Sequence, residues 1–191
     1  MKNNFVENIY VGLTEKELPL NCITHSGPRF LHNTDLRSYI YYRCKNGIMP
    51  VTLQDLSDNY ISAIEAWMIA AHNTMMETEI VNVNDLLNTI YGTSILQDFH
   101  MFAVTNKSSF MGAGSIINRK AIQEEIINKT NTTRFILLPS SIHEVILVPC
   151  PDNVDVNEYS EMVKAVNAEQ VLINERLSEN AYVIDFSKSR R

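Results

Sequence analysis

The chain has 191 residues, 45% of them hydrophobic, and a net charge of −6 from 16 basic and 22 acidic side chains. That size supports one domain, or one with a small appendage, and the composition excludes wholesale disorder. No apolar run approaches the roughly 18 residues of a membrane helix. The first eight residues lack the apolar stretch of a signal peptide, and the acidic balance argues against a nucleic-acid coat. The expectation is a cytoplasmic protein with neither nucleic acid nor membrane as partner.

Residues 1–34 read as an N-terminal arm or extra strands. A single α+β domain is expected over 35–186, with a basic tail at 187–191. Within the arm, Ile9-Tyr10-Val11-Gly12-Leu13 reads as a short strand and 18–23 as a second, confined to an edge by Pro19. His25-Ser26-Gly27-Pro28 has turn chemistry. Residues 36–51 predict a hairpin: Tyr39 to Cys44 go out, Asn46-Gly47 turn with positive φ, and Ile48 to Val51 return. Thr52, with Asp55 three residues on, caps a short helix. A longer helix over 60–76 is expected to be capped by Asp58 or Asn59. Its apolar spacing predicts that Ile64, Trp67, Met68 and Ala71 form the buried face, with Trp67 as a core anchor. Val83 to Tyr91 predicts a further helix, stopped by Gly92.

The rest has a β-β-α-β-β-α-β rhythm. Residues 101–105 and 110–117 read as its first two strands. Gly112 and Gly114 in the second predict a bulge or a close neighbouring backbone. Asn118 caps a helix with Ala121, Ile122, Ile126 and Ile127 on one face. Residues 134–139 and 144–149 are apolar on both faces, which predicts central strands. Asp155 with Glu158 resembles a capping box ahead of a helix carrying Tyr159, Met162, Val163 and Val166. Residues 181–186 are the last strand. The fold class is therefore α+β, a mixed, mostly antiparallel sheet with packed helices.

Familiar chemistries fail on spacing. Cys22, Cys44 and Cys150 form no framework, and no two histidines stand three or four apart, so neither a metal nor a cofactor is expected. His143-Glu144 lacks the second histidine of a zinc protease, since position 147 is Leu. Ser140 or Ser141 beside His143 suggests a nucleophile and base, but no nucleophile elbow surrounds them. Gly112-Ala113-Gly114 near Lys107 lacks the order of a phosphate loop.

The run Phe102-Ala103-Val104-Thr105-Asn106-Lys107, then Gly112-Ala113, then Leu138-Pro139-Ser140-Ser141-Ile142-His143-Glu144 resembles a large family of uncharacterised proteins from anaerobic gut bacteria. Residues 161–167 and 177–182 are similar to it as well, and 51–56 and 70–74 more loosely. The likeness covers roughly 35–186. It implies an architecture and a domain of unknown function, in a form shortened at the N-terminus, and no activity. The candidate ligand or functional residues are Asn106, Lys107, Gly112, Ser140, Ser141, His143 and Glu144; no catalytic residue is assigned. The leading reading is a non-enzymatic binding or regulatory module with an unknown protein or small-molecule partner. The alternative is a hydrolase-like enzyme using the Ser140–Glu144 hairpin. Convergence of these groups in a concave pocket favours an enzyme; bonding to nearby backbone favours the module.

Overall fold

The computed structural model of the chain describes residues 4–45, 47–85 and 100–189. Strands β1 (Ile9–Thr14), β2 (Thr24–His25), β3 (Arg37–Cys44) and β4 (Gly47–Pro50) form a first sheet, in which β3 pairs antiparallel with each of the others. Side chains alternate along β3. Ser38, Ile40 and Tyr42 face one way; Tyr39, Tyr41 and Arg43 face the other. Gly12 of β1 stands opposite Tyr39, whose ring lies over the space a β-carbon would take. A cross-strand aromatic thus covers a strand glycine. The expected edge strand at 18–23 is absent: Pro19 and the chain around it stay irregular, and Cys22 contributes a lone bridge to Thr52.

Helix α1 (Leu53–Asp58) is capped as expected: Asp55 N–H donates to the Thr52 hydroxyl and Thr52 N–H to the Asp55 carboxylate. Helix α2 (Ala63–Glu77) starts later than predicted. Ser62 caps it, with Glu65 completing the box, while Tyr60 is left-handed at φ 55°. Its burial departs from the expectation at Ile64 and Met68, whereas Trp67 and Ala71 do pack against the core. Ile64 is 75% and Met68 69% exposed, Trp67 is half-buried, and Ala66, Ala70 and Thr74 face inward. Small side chains one turn apart let α2 lie close on β1. There the Val11 N–H reaches the Thr74 hydroxyl at 2.9 Å, and the Asn73 amide reaches the carbonyls of Val6 and Ile9. A stripe of Trp and Met at that face would hold the helix too far away for these bonds.

The second sheet contains β5 (Thr78–Asn82), β6 (Phe102–Asn106), β7 (Arg134–Leu138), β8 (Val145–Pro149) and β9 (Tyr182–Asp185). Its order is β5-β6-β8-β7-β9, with every pair antiparallel. The structure therefore has two antiparallel sheets in place of one mixed sheet. Strands β7 and β8 are interior, as their two apolar faces predict. Strand β5 is not anticipated by the sequence reading, because it follows α2 directly and the helical pattern runs into it. With β5 and β6 as the first pair, the β-β-α-β-β-α-β order holds.

Residues 110–117 are not a strand. Ser109 and Met111 are left-handed, and Gly112–Ile117 is a 3-10 helix. The glycines do mark close backbone. A β-carbon on Gly112 would stand 2.5 Å from the His143 carbonyl oxygen, and one on Gly114 would collide with the Val11 carbonyl. Helix α3 follows from the Asn118 cap as an α turn (Arg119–Ile122), a π segment (Gln123–Ile127) and a closing turn (Asn128–Thr130). It buries Ile122, Ile126 and Ile127. Helix α4 (Val156–Gln170) is capped by Asp155, which accepts from Asn157 N–H, so the box with Glu158 does not form. Val163 is buried on α4, whereas Met162 and Val166 are exposed. Beyond Asp85, the helix predicted over 83–91 lies outside the described residues, as do Asn46 of the hairpin turn and Arg190 and Arg191 of the tail.

One apolar cluster joins Leu13 of β1, Phe30, Ile116 of the 3-10 helix, and Phe135, Leu147 and Phe186 of the second sheet and its end. Gly114→Ala should therefore destabilise the protein by about 2–3 kcal/mol, because overpacking against backbone cannot relax. Met68→Ala, on the exposed face of α2, should stay within about 0.5 kcal/mol of the parent. Urea midpoints measure both.

Candidate functional site

Four of the residues that the sequence singles out, Asn106, Gly112, Ser141 and His143, surround the first turn of the 3-10 helix. Asn106 ends β6 and is buried. Its amide nitrogen donates to the Phe110 carbonyl at 2.8 Å, and its oxygen accepts from Phe110 N–H and the Ser108 hydroxyl. One side chain thereby closes the loop at both ends. Lys107 is exposed, and its backbone N–H donates to the Glu77 carbonyl.

The 139–144 connection is bound along its length by residues 175–178. Leu177 N–H donates to the Ser140 carbonyl, Ser178 N–H to that of Pro139, and Ile142 N–H to that of Glu175. The buried Ser141 accepts from His143 N–H at 3.1 Å. The His143 carbonyl accepts from the Thr105 hydroxyl at 2.8 Å, and its Nδ1 accepts from Met111 N–H at 3.1 Å. An Nδ1 that accepts leaves the proton of the neutral ring on Nε2. That nitrogen lies 3.5 Å from a Glu175 carboxylate oxygen.

The structure thus brings Asn106, Gly112, Ser141 and His143 together and leaves Lys107 and Glu144 exposed. Ser140 lies elsewhere, lining a small apolar pocket with Met101, Leu138, Ile146, Met162 and Val166. A nucleophile–base pair needs a hydroxyl bonded to the imidazole. Here Nδ1 is occupied by a backbone amide, Nε2 faces a carboxylate, and the Ser141 hydroxyl bonds backbone. These contacts hold chain segments in place and, among the described residues, give His143 no hydroxyl to activate.

Two features escape the sequence reading. The first is a partly buried cluster at the junction of the sheets. Arg43 pairs with Glu77 at 3.1 Å and lies 4.1 Å over the Tyr10 ring. Tyr10 donates to Glu77 at 2.8 Å, and Tyr41 is 3.4 Å from the Met111 carbonyl. The alternation of β3, with Tyr10 opposite Tyr41, is the signal that could have found it. Burial first, and the Glu77 carboxylate second, push the Tyr10 phenol up to about 12.

The second is a cleft beside Trp67. Its inner part, about 180 Å³, is bounded by Val11, Gly27, Pro28, Ser38, Trp67 and Ile117. An outer part of about 410 Å³ runs past Ile64, Met68 and Ala71, and His25 borders both. The imidazole of His25 meets the Trp67 ring edge-on at 5.5 Å. Apart from these, a polar cleft of about 850 Å³ is lined by Glu15, Glu17, Asp35, Arg37 and His32 among others.

With two antiparallel sheets and their helices, the molecule is an α+β domain, and among the described residues no helix is long and apolar enough to cross a membrane. The chain belongs to a family of unknown function, DUF5688, whose pattern matches residues 40–185. The match begins inside β3, so β1 and β2 lie outside it. No curated protein and no solved structure matches the chain.

Tyr10 supplies a pH test. Its phenol holds its proton more tightly in the fold than the usual 10 allows, so the stability it contributes is complete below pH 10 and is lost as pH rises toward about 12. Urea midpoints should fall across that window. The fall should be shallower in Tyr10→Phe, which has no proton there to lose.

Proposed function

We propose that this chain is a non-enzymatic binding module working in the cytoplasm, with neither nucleic acid nor membrane as its partner. One observation carries the reading. Ile64 and Met68 line an open cleft instead of filling the core, beside Trp67, which packs against the core with one side and lines the cleft with the other. Concave apolar surface of this kind is the usual setting of a binding site. The side chains of Asn106, Ser141 and His143 are meanwhile engaged with backbone.

The test compares the parent with His143→Ala and Ser141→Ala on ester, amide and phosphoester substrates. His143→Ala leaves the Met111 amide without its acceptor, so it should cost about 1–3 kcal/mol of stability. Circular dichroism first establishes that each variant is folded. The expected result is no turnover in the parent that either folded variant lacks. Turnover lost in a folded His143→Ala would overturn the reading in favour of a hydrolase built on this hairpin.

A further inference from the structure

The inner part of the Trp67 cleft contains a polar group that the fold leaves unused. Ser38 faces α2 from β3 and is only 2% exposed, and its hydroxyl has no hydrogen-bond partner among the described residues. Leaving a buried hydroxyl unpaired is costly, so such a group calls for an explanation. The loop at Gly27 lies close over it. Gly27 sits at φ 76°, with its N–H on His25 Nδ1 at 3.0 Å and its carbonyl 3.2 Å from His32 Nε2. A β-carbon on Gly27 would stand 3.0 Å from the Ser38 hydroxyl oxygen. Any larger residue there would press on that buried hydroxyl.

The remaining walls of this part are apolar or aromatic: Val11, Pro28, Ile117 and the Trp67 ring, with the His25 ring at its edge. Apart from His25, no ionisable side chain among the described residues lines it. A volume of about 180 Å³ is on the scale of the roughly 150 Å³ apolar cavity that holds one benzene ring.

From these observations we infer that the cleft binds a small, neutral aromatic molecule carrying one hydroxyl. Its ring lies against Trp67 and its hydroxyl pairs with Ser38. The outer face at Ile64, Met68 and Ala71 accommodates apolar substituents on the far side of the ring. This assignment rests on the binding-module reading and names the class of ligand.

Trp67 is the only tryptophan in the chain, so its indole N–H gives a single signal in nitrogen-labelled protein. The experiment titrates that signal with 4-methylphenol and with toluene, which has nearly the same shape and no hydroxyl. Both should shift it saturably, with 4-methylphenol binding about five- to tenfold more tightly, the effect of one net hydrogen bond. Ser38→Ala should abolish the preference while leaving toluene binding in place. The assignment is overturned if neither compound shifts the signal, if the native chain binds both equally, or if folded Ser38→Ala keeps the preference. Should that variant fail to fold, the two ligands on the native chain decide by the same criterion. Failure here removes the ligand class alone, because the substrate comparison with His143→Ala tests the binding-module reading separately.

Discussion

The 3-10 helix at Gly112–Ile117 passes between two backbones with no room for a side chain at either crossing. Gly114 lies against the Val11 carbonyl in the first sheet, and Gly112 lies against the His143 carbonyl and the end of β6 in the second. Much of the structure answers to this double contact. The left-handed residues Ser109 and Met111 turn the chain into the crossing. Asn106 closes the loop that leads there, and His143 takes the Met111 amide. Polar residues that resemble catalytic groups on paper are used to satisfy backbone that the crossing takes away from water, where unpaired groups are costly.

The same demand for closeness governs α2. Alanine and threonine face β1 because the helix hydrogen-bonds that strand through Thr74 and Asn73. The large apolar residues are thereby turned outward, and they form the wall of the Trp67 cleft together with the loop at His25–Pro28. A packing solution in the interior therefore creates the exposed apolar surface, and the Ser38 hydroxyl lies where that surface meets the first sheet. The Arg43–Glu77 pair with Tyr10 fastens the far end of α2 to the same sheet.

What the sequence made legible was local. The Thr52 cap, the β3–β4 hairpin, the Asn118 cap and the interior strands β7 and β8 depend on residues within a few positions of one another, and each is found where its pattern places it. The failures are tertiary. Helix α2 is apolar on two sides, and periodicity cannot say which side meets the sheet; size suggested the large residues, and close packing selected the small ones. Residues 110–117 have strand composition, but two left-handed residues and a crossing backbone impose a helix. Of the candidate residues, Asn106, Gly112, Ser141 and His143 share one junction, while Lys107, Ser140 and Glu144 lie apart. Neither Ser38 nor Arg43 stood out, because the Glu77 partner of Arg43 is distant in sequence and the Ser38 hydroxyl has none among the described residues.

If the crossing joins the two sheets into one cooperative unit, they must open together. Native-state hydrogen exchange measures this directly at Ile40 in the first sheet and Ile136 in the second, both fully buried. The account predicts the same opening free energy at both amides, equal to that of global unfolding. Exchange at Ile40 with a clearly lower free energy than at Ile136 would contradict it, since the first sheet would then open while the second stays folded.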